Sequence, residues 1–345
     1  MFITDPGIMK VGFGQQAMDM LKAAGITYAS FTEVEPNPTD IMLDKIMGQI
    51  KGDKFNAIIA LGGGSAIDTG KAVNILLNNP GPISLYDGVN KVPNPGIPLI
   101  CVPTTSGTGS ECSSADVITN VKARKKMVIL GANVGGTQAI CDPELTIGLP
   151  PRVTAATGMD ALAHAMESYI STMTNIIAQV DSLKAMNLIY NNLVECYRNP
   201  KNLEARYNQM LGATVAGLAF GNTDLGLCHA VAMPLGAHYG IAHGDGNAIC
   251  LPPAMKYNAK AVPVQMVEMG VAMGMGAASD LTPEKVVDNL YKLAADLETP
   301  KLIEYGIGPD KFTEELIDSI LIEGAYQTNP TKPGRADLMD FLMQL

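Results

Sequence analysis

The feature that most constrains this chain is a change of periodicity near Pro150-Pro151. Before it, short apolar runs of β type alternate with helical patterns. After it, from Thr154 onward, only helical periodicity remains, over 154–172, 175–197, 203–220, 283–298 and 310–325. Alternating β and α segments fold as a parallel sheet with covering helices, and a run of helices alone folds as a bundle. The reading is therefore an α/β domain over 1–150 followed by an all-helical domain over 151–345. With 345 residues, 47% hydrophobic and 17% charged, the chain is large enough for two cores.

Within the first part, Phe2-Ile3-Thr4 reads as a strand ending at Asp5-Pro6-Gly7, and Gln15 to Ala24 as an amphipathic helix. Tyr28 to Val34 is a second strand, and Thr39 is placed to cap a helix running through Lys51. The apolar run Asn56 to Leu61 suits a strand buried on both faces. It leads into Gly62-Gly63-Gly64-Ser65-Ala66-Ile67-Asp68-Thr69-Gly70-Lys71. Glycines at a strand-to-helix junction let backbone N–H groups and the helix dipole approach an anion, although the spacing is neither G-x-G-x-x-G nor a P-loop. A further strand, Ile97 to Val102, runs into Pro103-Thr104-Thr105-Ser106-Gly107-Thr108-Gly109-Ser110-Glu111, a second cradle of hydroxyls and glycines at the carboxyl end of a strand.

In the second part, Asp160 and His164 stand four apart in the helical run Thr157 to His164, and so share a face. His229 and His243 flank a segment containing Pro234 and glycines able to turn the chain back. Only His238, of four histidines, lies outside this set. One carboxylate and three imidazoles suit Fe²⁺ or Zn²⁺ and leave a position for substrate, with a site charge of about +1.

The net charge of −10 and the lack of an extended basic block argue against nucleic acid or an anionic membrane as partner. No run is long enough to span a bilayer, and no secretory signal pattern opens the chain. Six cysteines scattered singly read as reduced thiols, which suits a cytoplasmic protein.

Taken together, Gly62 to Asp68, Pro103 to Glu111, Asp142-Pro143-Glu144-Leu145-Thr146, Leu149-Pro150-Pro151, Thr154 to His164 and the block from His229 to His243 resemble the iron-containing (group III) alcohol dehydrogenases. The match runs nearly end to end and in order. This resemblance implies a dehydroquinate-synthase-like architecture, with an α/β dinucleotide-binding domain, a helical catalytic domain and the active site in the cleft. It puts the metal ligands on Asp160, His164, His229 and His243, and the pyrophosphate loop on Gly62, Gly63, Gly64 and Ser65, with Asp68 in the same motif. Nicotinamide- and adenine-side contacts fall on Thr104, Thr105 and Thr108, and a cofactor-side lysine on Lys126.

The implied activity is hydride transfer between NAD or NADP and a small primary alcohol, aldehyde or diol, in a homo-oligomer with bound Fe²⁺ or Zn²⁺. Three departures stand out. Family members usually have an additional hairpin strand before the Thr-Asp-Pro segment, so the first strand reads as truncated. Met233 occupies a position that is often His, and a thioether cannot relay a proton; water, the cofactor ribose or His238 would then serve. Thr32 lies where NAD-preferring members often carry Asp. A dehydroquinate-synthase-type enzyme would need a cation cluster beside the metal, which residues 154–250 lack. The alternative is a catalytically impaired relative with an assembly or interaction role.

Overall fold

The computed structural model describes residues 1–345. The chain divides into two compact units: Met1–Thr105 with Ser110–Thr146, and Ser106–Gly109 with Ile147–Leu345.

The first unit has eight strands: β1 (Phe2–Ile3), β2 (Ser30–Phe31), β3 (Ile58–Gly62), β4 (Gly88–Val89), β5 (Leu99–Pro103), β6 (Ala115–Asn120), β7 (Lys125–Leu130) and β8 (Gln138–Ala139). Its helices are α1 (Pro6–Val11), α2 (Phe13–Ala23), α3 (Asp40–Gln49) and α4 (Gly64–Asn78). Five strands form one parallel sheet in the order β2-β1-β3-β5-β8. The expected parallel sheet is thus present, with Ile58, Ala60, Leu99 and Cys101 fully buried on one face and Ile59, Ile100 and Val102 partly covered on the other.

A second sheet, β4-β7-β6, was not anticipated. Its antiparallel β6–β7 hairpin turns through Val121–Arg124, with Arg124 at φ 50°. The turn carries basic residues in place of the usual Asn-Gly or Asp-Gly, so the hairpin signal is weak in sequence. Thr39 caps α3 as expected, its hydroxyl accepting from the Met42 N–H at 3.1 Å.

The second unit contains ten helices: α5 (Pro151–Ile170), α6 (Ile176–Arg198), α7 (Leu203–Phe220), α8 (Leu227–Tyr239), α9 (His243–Asn258), α10 (Pro263–Ala272), α11 (Pro283–Asp296), α12 (Glu314–Leu321), α13 (Gly324–Thr328) and α14 (Arg335–Leu342). It has no strand. Helix α5 lies at the centre, packed on α6, α7 and α9 and buried from Gly158 to Ile170. Its sequence explains the position: alanines and Gly158 leave room for neighbouring helices to close in. A Cβ on Gly158 would lie 2.1 Å from Leu193 Cδ1. The loop Ser106–Gly109 joins this unit just as tightly. Gly109 is at φ +59°, and a Cβ there would meet the Gly217 Cα at 2.6 Å, so both the backbone conformation and the close approach require glycine.

Helices α8 and α9 are absent from the sequence reading, and their composition says why. Pro234 lies inside α8, Pro252 and Pro253 lie inside α9, and both helices are buried along most of their length. Interior prolines argue against a helix, and a helix buried all round shows no apolar stripe.

Candidate metal centre

The centre is built from three helices of the second unit. Asp160, His164 and Glu167 fall at i, i+4 and i+7 on α5, which at 3.6 residues per turn brings all three to one face. His229 comes from the first turn of α8, while His243 and Asn247 share a face of α9. Ligand atoms of Asp160, His164, His229 and His243 lie within 4.8 Å of one another. Asp160 Oδ1 is 3.8, 3.5 and 3.6 Å from the Nε2 atoms of His164, His229 and His243. Bonds of about 2.0–2.2 Å around a tetrahedral divalent ion place its ligand atoms roughly 3.3–3.6 Å apart. The donor set therefore fits such an ion in chemistry and in spacing.

Glu167 adds a second carboxylate that the reading of the sequence missed. It is fully buried, and its Oε2 accepts from His229 Nδ1 at 2.7 Å. An ionised carboxylate only accepts, so Nδ1 carries a proton and Nε2 is turned toward the other ligands. The same carboxylate accepts from the backbone N–H of Cys228 at 2.6 Å and of His229 at 3.4 Å. Helix α8 has glycine at its N-cap and no side-chain cap of its own. Glu167 supplies that cap from another helix, assisted by Asn329, whose Oδ1 accepts from Leu227 N–H at 3.0 Å. One buried group thus fixes both the start of α8 and the ring of His229. With Glu167 included, a divalent ion gives a formal charge near zero, not the +1 expected from Asp160 alone.

The titration of these groups follows from their surroundings. Burial would raise the Asp160 carboxyl, yet the nearby imidazoles of His164, His243 and His229 hold it well below the usual range. Burial pushes His164 down to about 4 against the pull of Asp160. Burial also opposes charge on His229, but hydrogen bonds to Asp160 and Glu167 prevail and raise it to about 9.

Rings close the site. His164 stacks between Phe220 at 4.4 Å and His229 at 4.6 Å between centroids. Asp160, His164 and His229 are at most 4% exposed, whereas His243 is 30% exposed. Met233 is buried one turn beyond His229 on α8. His238 is nine residues beyond His229, about 13 Å along a helix axis, and its Nε2 meets Ser319 Oγ at 3.0 Å. It cannot stand in for an imidazole at position 233.

In the first unit, β3 turns into α4 through Gly62. Its φ is +154°, and a Cβ there would lie 2.7 Å from Ala66 Cβ and 2.9 Å from Asp5 Oδ2. Gly63 is the N-cap of α4, with no side-chain cap and no acid in the first turn, so Gly63, Gly64 and Ser65 present an N-terminus of the kind that binds anions. Thr104 donates its N–H to the Gly62 carbonyl at 2.9 Å, and a Cβ on Gly63 would lie 3.3 Å from Thr105 Cγ2. These residues are brought together. Asp68 instead accepts from Ser110 Oγ at 2.6 Å, close to the buried Lys71, in a network that ties α4 to the loop after β5. Thr108 belongs to the helical unit. Lys126, on β7, donates to Asn37 Oδ1 at 2.9 Å. Thr32 follows β2 directly, and the adjoining Glu33 pairs with Lys45 at 2.8 Å.

Two family profiles match this chain: iron-containing alcohol dehydrogenase over residues 1–143, and the Fe-containing alcohol dehydrogenase family, C-terminal, over residues 154–345. The chain belongs to the iron-containing alcohol dehydrogenase family. It is 34% identical to alcohol dehydrogenase 4 of Saccharomyces cerevisiae, covering 96% of this chain and 87% of that one. It is also 34% identical to 1,3-propanediol dehydrogenase of Klebsiella pneumoniae, covering 100% and 90%. A crystal structure of a 1,3-propanediol oxidoreductase superimposes with a TM-score of 0.94 at 34% identity, over 99% of this chain and 91% of that one. A sulfoacetaldehyde reductase from Bifidobacterium kashiwanohense, solved in complex with NAD⁺, superimposes with a TM-score of 0.84 at 29% identity, over 99% and 88%. The family's two-part architecture, a parallel-sheet unit and a helical unit, is the one described above. No helix is long and apolar enough to cross a membrane.

Proposed function

We propose that this family member interconverts a small primary alcohol or diol and its aldehyde with NAD(P), using a divalent ion, Fe²⁺ or Zn²⁺, held by Asp160, His164, His229 and His243. The observation that carries this reading is the convergence of those four side chains within 4.8 Å, with a carboxylate orienting one of the imidazoles. Names borne by relatives at about a third identity support an alcohol, diol or aldehyde substrate.

When bound, the ion supplies Lewis-acid polarisation of the substrate oxygen, and the nicotinamide carries the hydride. The chain's own residues do the rest. Gly62, Gly63, Gly64 and Ser65 take the pyrophosphate at the N-terminus of α4. Thr104 and Thr105 line the same turn, and Asp68 anchors α4 through Ser110. Thr108 and Lys126 complete the cofactor contacts in this reading. Residues 1–150 then serve as the dinucleotide-binding domain and 151–345 as the catalytic domain. Glu167 orients His229, while Phe220 shields the ring of His164 from water. Met233 offers no proton-carrying group at its position, so this chain supplies no side chain there to take the proton of the alcohol.

An exposed apolar stripe on and just before α6, made by Met173, Ile176, Ile177 and Val180, each at least 59% exposed, supports self-association as a homo-oligomer. The six cysteines form no disulfide, in keeping with a reducing, cytoplasmic setting.

Anaerobic loading with Fe²⁺ or Zn²⁺, followed by NADH and NADPH oxidation with a panel of short aldehydes, tests the proposal. Chelator-sensitive turnover that Asp160→Ala abolishes would support it. Stoichiometric metal without turnover would favour an assembly role. Unchanged metal content in Asp160→Ala would overturn the ligand assignment.

A further inference from the structure

A cavity of about 580 Å³ opens in the helical unit, lined from α9, α11 and the end of α14. Its size is that of a small-molecule pocket. Most of its wall is apolar and includes Ile307, Phe312 and Leu342, each at most 9% exposed. None of the four proposed metal ligands lines it. On α9 the metal centre takes His243 and Asn247, whereas the cavity takes Ile249 and Pro253. Residues 247 and 249 are about 200° apart around a helix, so the cavity lies on the face turned away from the centre.

Three polar features stand in this apolar wall. Pro252 and Pro253 have no N–H, so the carbonyls of Ala248 and Ile249, four residues earlier on α9, lose the donors that a helix would give them. All four residues are buried and line the cavity. A buried carbonyl without its donor is unfavourable, and here two follow one another. Thr299 is the third feature. Its Oγ1 is buried without a hydrogen-bond partner. The backbone around it is fixed: Glu298 takes a left-handed φ of 52°, the Thr299 N–H donates to the Ala294 carbonyl at 2.9 Å, and Pro300 follows. Two acceptors and one hydroxyl match a ligand group that donates one hydrogen bond and accepts another. An anionic head group only accepts, and the one cation of the lining, Lys301, is exposed at the rim.

We propose that this cavity is a binding site for a neutral apolar alcohol, whose hydroxyl donates to the carbonyls freed by Pro252 and Pro253 and accepts from Thr299, and whose hydrocarbon body rests on Ile307, Phe312 and Leu342. The inference goes beyond the proposed activity and does not depend on it. Binding here needs neither ion nor nicotinamide, and the site is separate from the centre at which an alcohol would react.

The test is site-resolved and independent of turnover. The full-length protein, labelled at its isoleucine δ1 methyl groups, is titrated with 1-octanol and followed by NMR. The methyls of Ile249, Ile303 and Ile307, which line the cavity, should shift saturably. Ala295→Trp fills the cavity from its exposed rim and should abolish those shifts; Ile303→Trp, at a residue 64% exposed, takes its place if that variant does not fold. Thr299→Val keeps the side-chain shape without the hydroxyl. It should weaken 1-octanol about threefold to tenfold, the scale of one hydrogen bond, and leave octane unchanged. Octyl methyl ether, which accepts but cannot donate, should bind about threefold to tenfold more weakly than 1-octanol, and octanoate more weakly still. Absence of saturable shifts, shifts confined to isoleucines outside the cavity, or shifts that survive filling would overturn the proposal. So would an ether or octanoate that binds as tightly as the alcohol.

Discussion

Glu167→Gln is the substitution that the structure makes most informative. The glutamine has the same shape but one oxygen fewer to accept with. If its oxygen faces the Cys228 N–H, its NH₂ meets His229 Nδ1, forcing the proton onto Nε2, where the ion must bind. If the amide flips, its oxygen keeps Nδ1–H but its NH₂ confronts the Cys228 N–H at the 2.6 Å now filled by a carboxylate. Either orientation loses one buried bond. Outer-sphere partners of histidine ligands are worth about 10–100-fold in metal affinity, and loss of a helix cap costs about 1 kcal/mol. The variant should therefore bind Zn²⁺ about 10–100-fold more weakly in competition with a chromophoric chelator, and its metal-free form should lose about 1–2 kcal/mol in denaturant unfolding. Asn329→Ala is the control. Asn329 caps the adjacent Leu227 N–H and does not touch the imidazole, so it should cost stability while leaving Zn²⁺ affinity within about threefold of the parent. If Glu167→Gln also stays within about threefold, Glu167 is a helix cap only and the orienting role is refuted.

The histidines also predict a pH response. His229, raised to about 9, contributes stability that is full below its unfolded value near 6.5 and is lost as pH rises through 9. His164, lowered to about 4, contributes stability that is full above 6.5 and is lost as pH falls through 4. Chelated protein should accordingly be most stable near pH 6.5 as far as these two groups decide it, and monotonic stability across pH 4–9 in thermal scans would count against the assignment. Because the ion must displace the His229 proton, Zn²⁺ affinity should rise about tenfold per pH unit up to about 9. Gly62→Ala should destabilise the first unit by about 1–3 kcal/mol and weaken NADH binding measured by fluorescence. Asp116 is buried and pushed well above the usual carboxylate range by burial and by Asp68. It therefore contributes stability that is full below the ordinary carboxylate range and is lost as pH rises above it, and Asp116→Asn should make unfolding free energy less sensitive to pH above that range.

The legible parts of this chain were those where local chemistry and tertiary role agree. Asp160 and His164 could be paired from sequence because a helix turns one residue spacing into one face, and the strands of the parallel sheet showed as apolar runs ending in glycine or proline. The helices carrying His229 and His243 were not legible, since interior prolines contradict their conformation and burial on all sides removes their stripe. Glu167 had a signal that could have been used: it lies seven residues after Asp160 and three after His164, hence on the same face of α5. Asn247 had a similar one, four residues after His243. Glu167 is of a ligand type but is turned to the far side of the His229 ring, and Asn247 is not of such a type, so only the packing of α5, α8 and α9 reveals them. The β6–β7 hairpin was hidden by the charge of Lys122 to Lys126, which reads as solvated loop until the alternating pattern on either side is paired.

The charge arithmetic of the centre ties these points together. A site of charge near +1 would draw an alkoxide firmly and release it slowly, because the oxyanion would be neutralised only on binding. With Glu167 behind His229, the formal total with a divalent ion is near zero, and the negative charge lies on the far side of an imidazole from the ligand cluster. A carboxylate there strengthens the nitrogen as a donor to the ion, which lowers the ion's hold on substrate oxygen. Placing the second carboxylate one bond removed, rather than adding a second carboxylate ligand, would give a firmly held ion with a modest grip on product. Glu167→Gln should therefore separate two quantities that usually move together: metal affinity falls, while an alcohol or alkoxide analogue binds more tightly to the protein that remains loaded. Inhibition by such an analogue at saturating metal would measure it, and equal or weaker inhibition in the variant would contradict this account of why the buried acid is there.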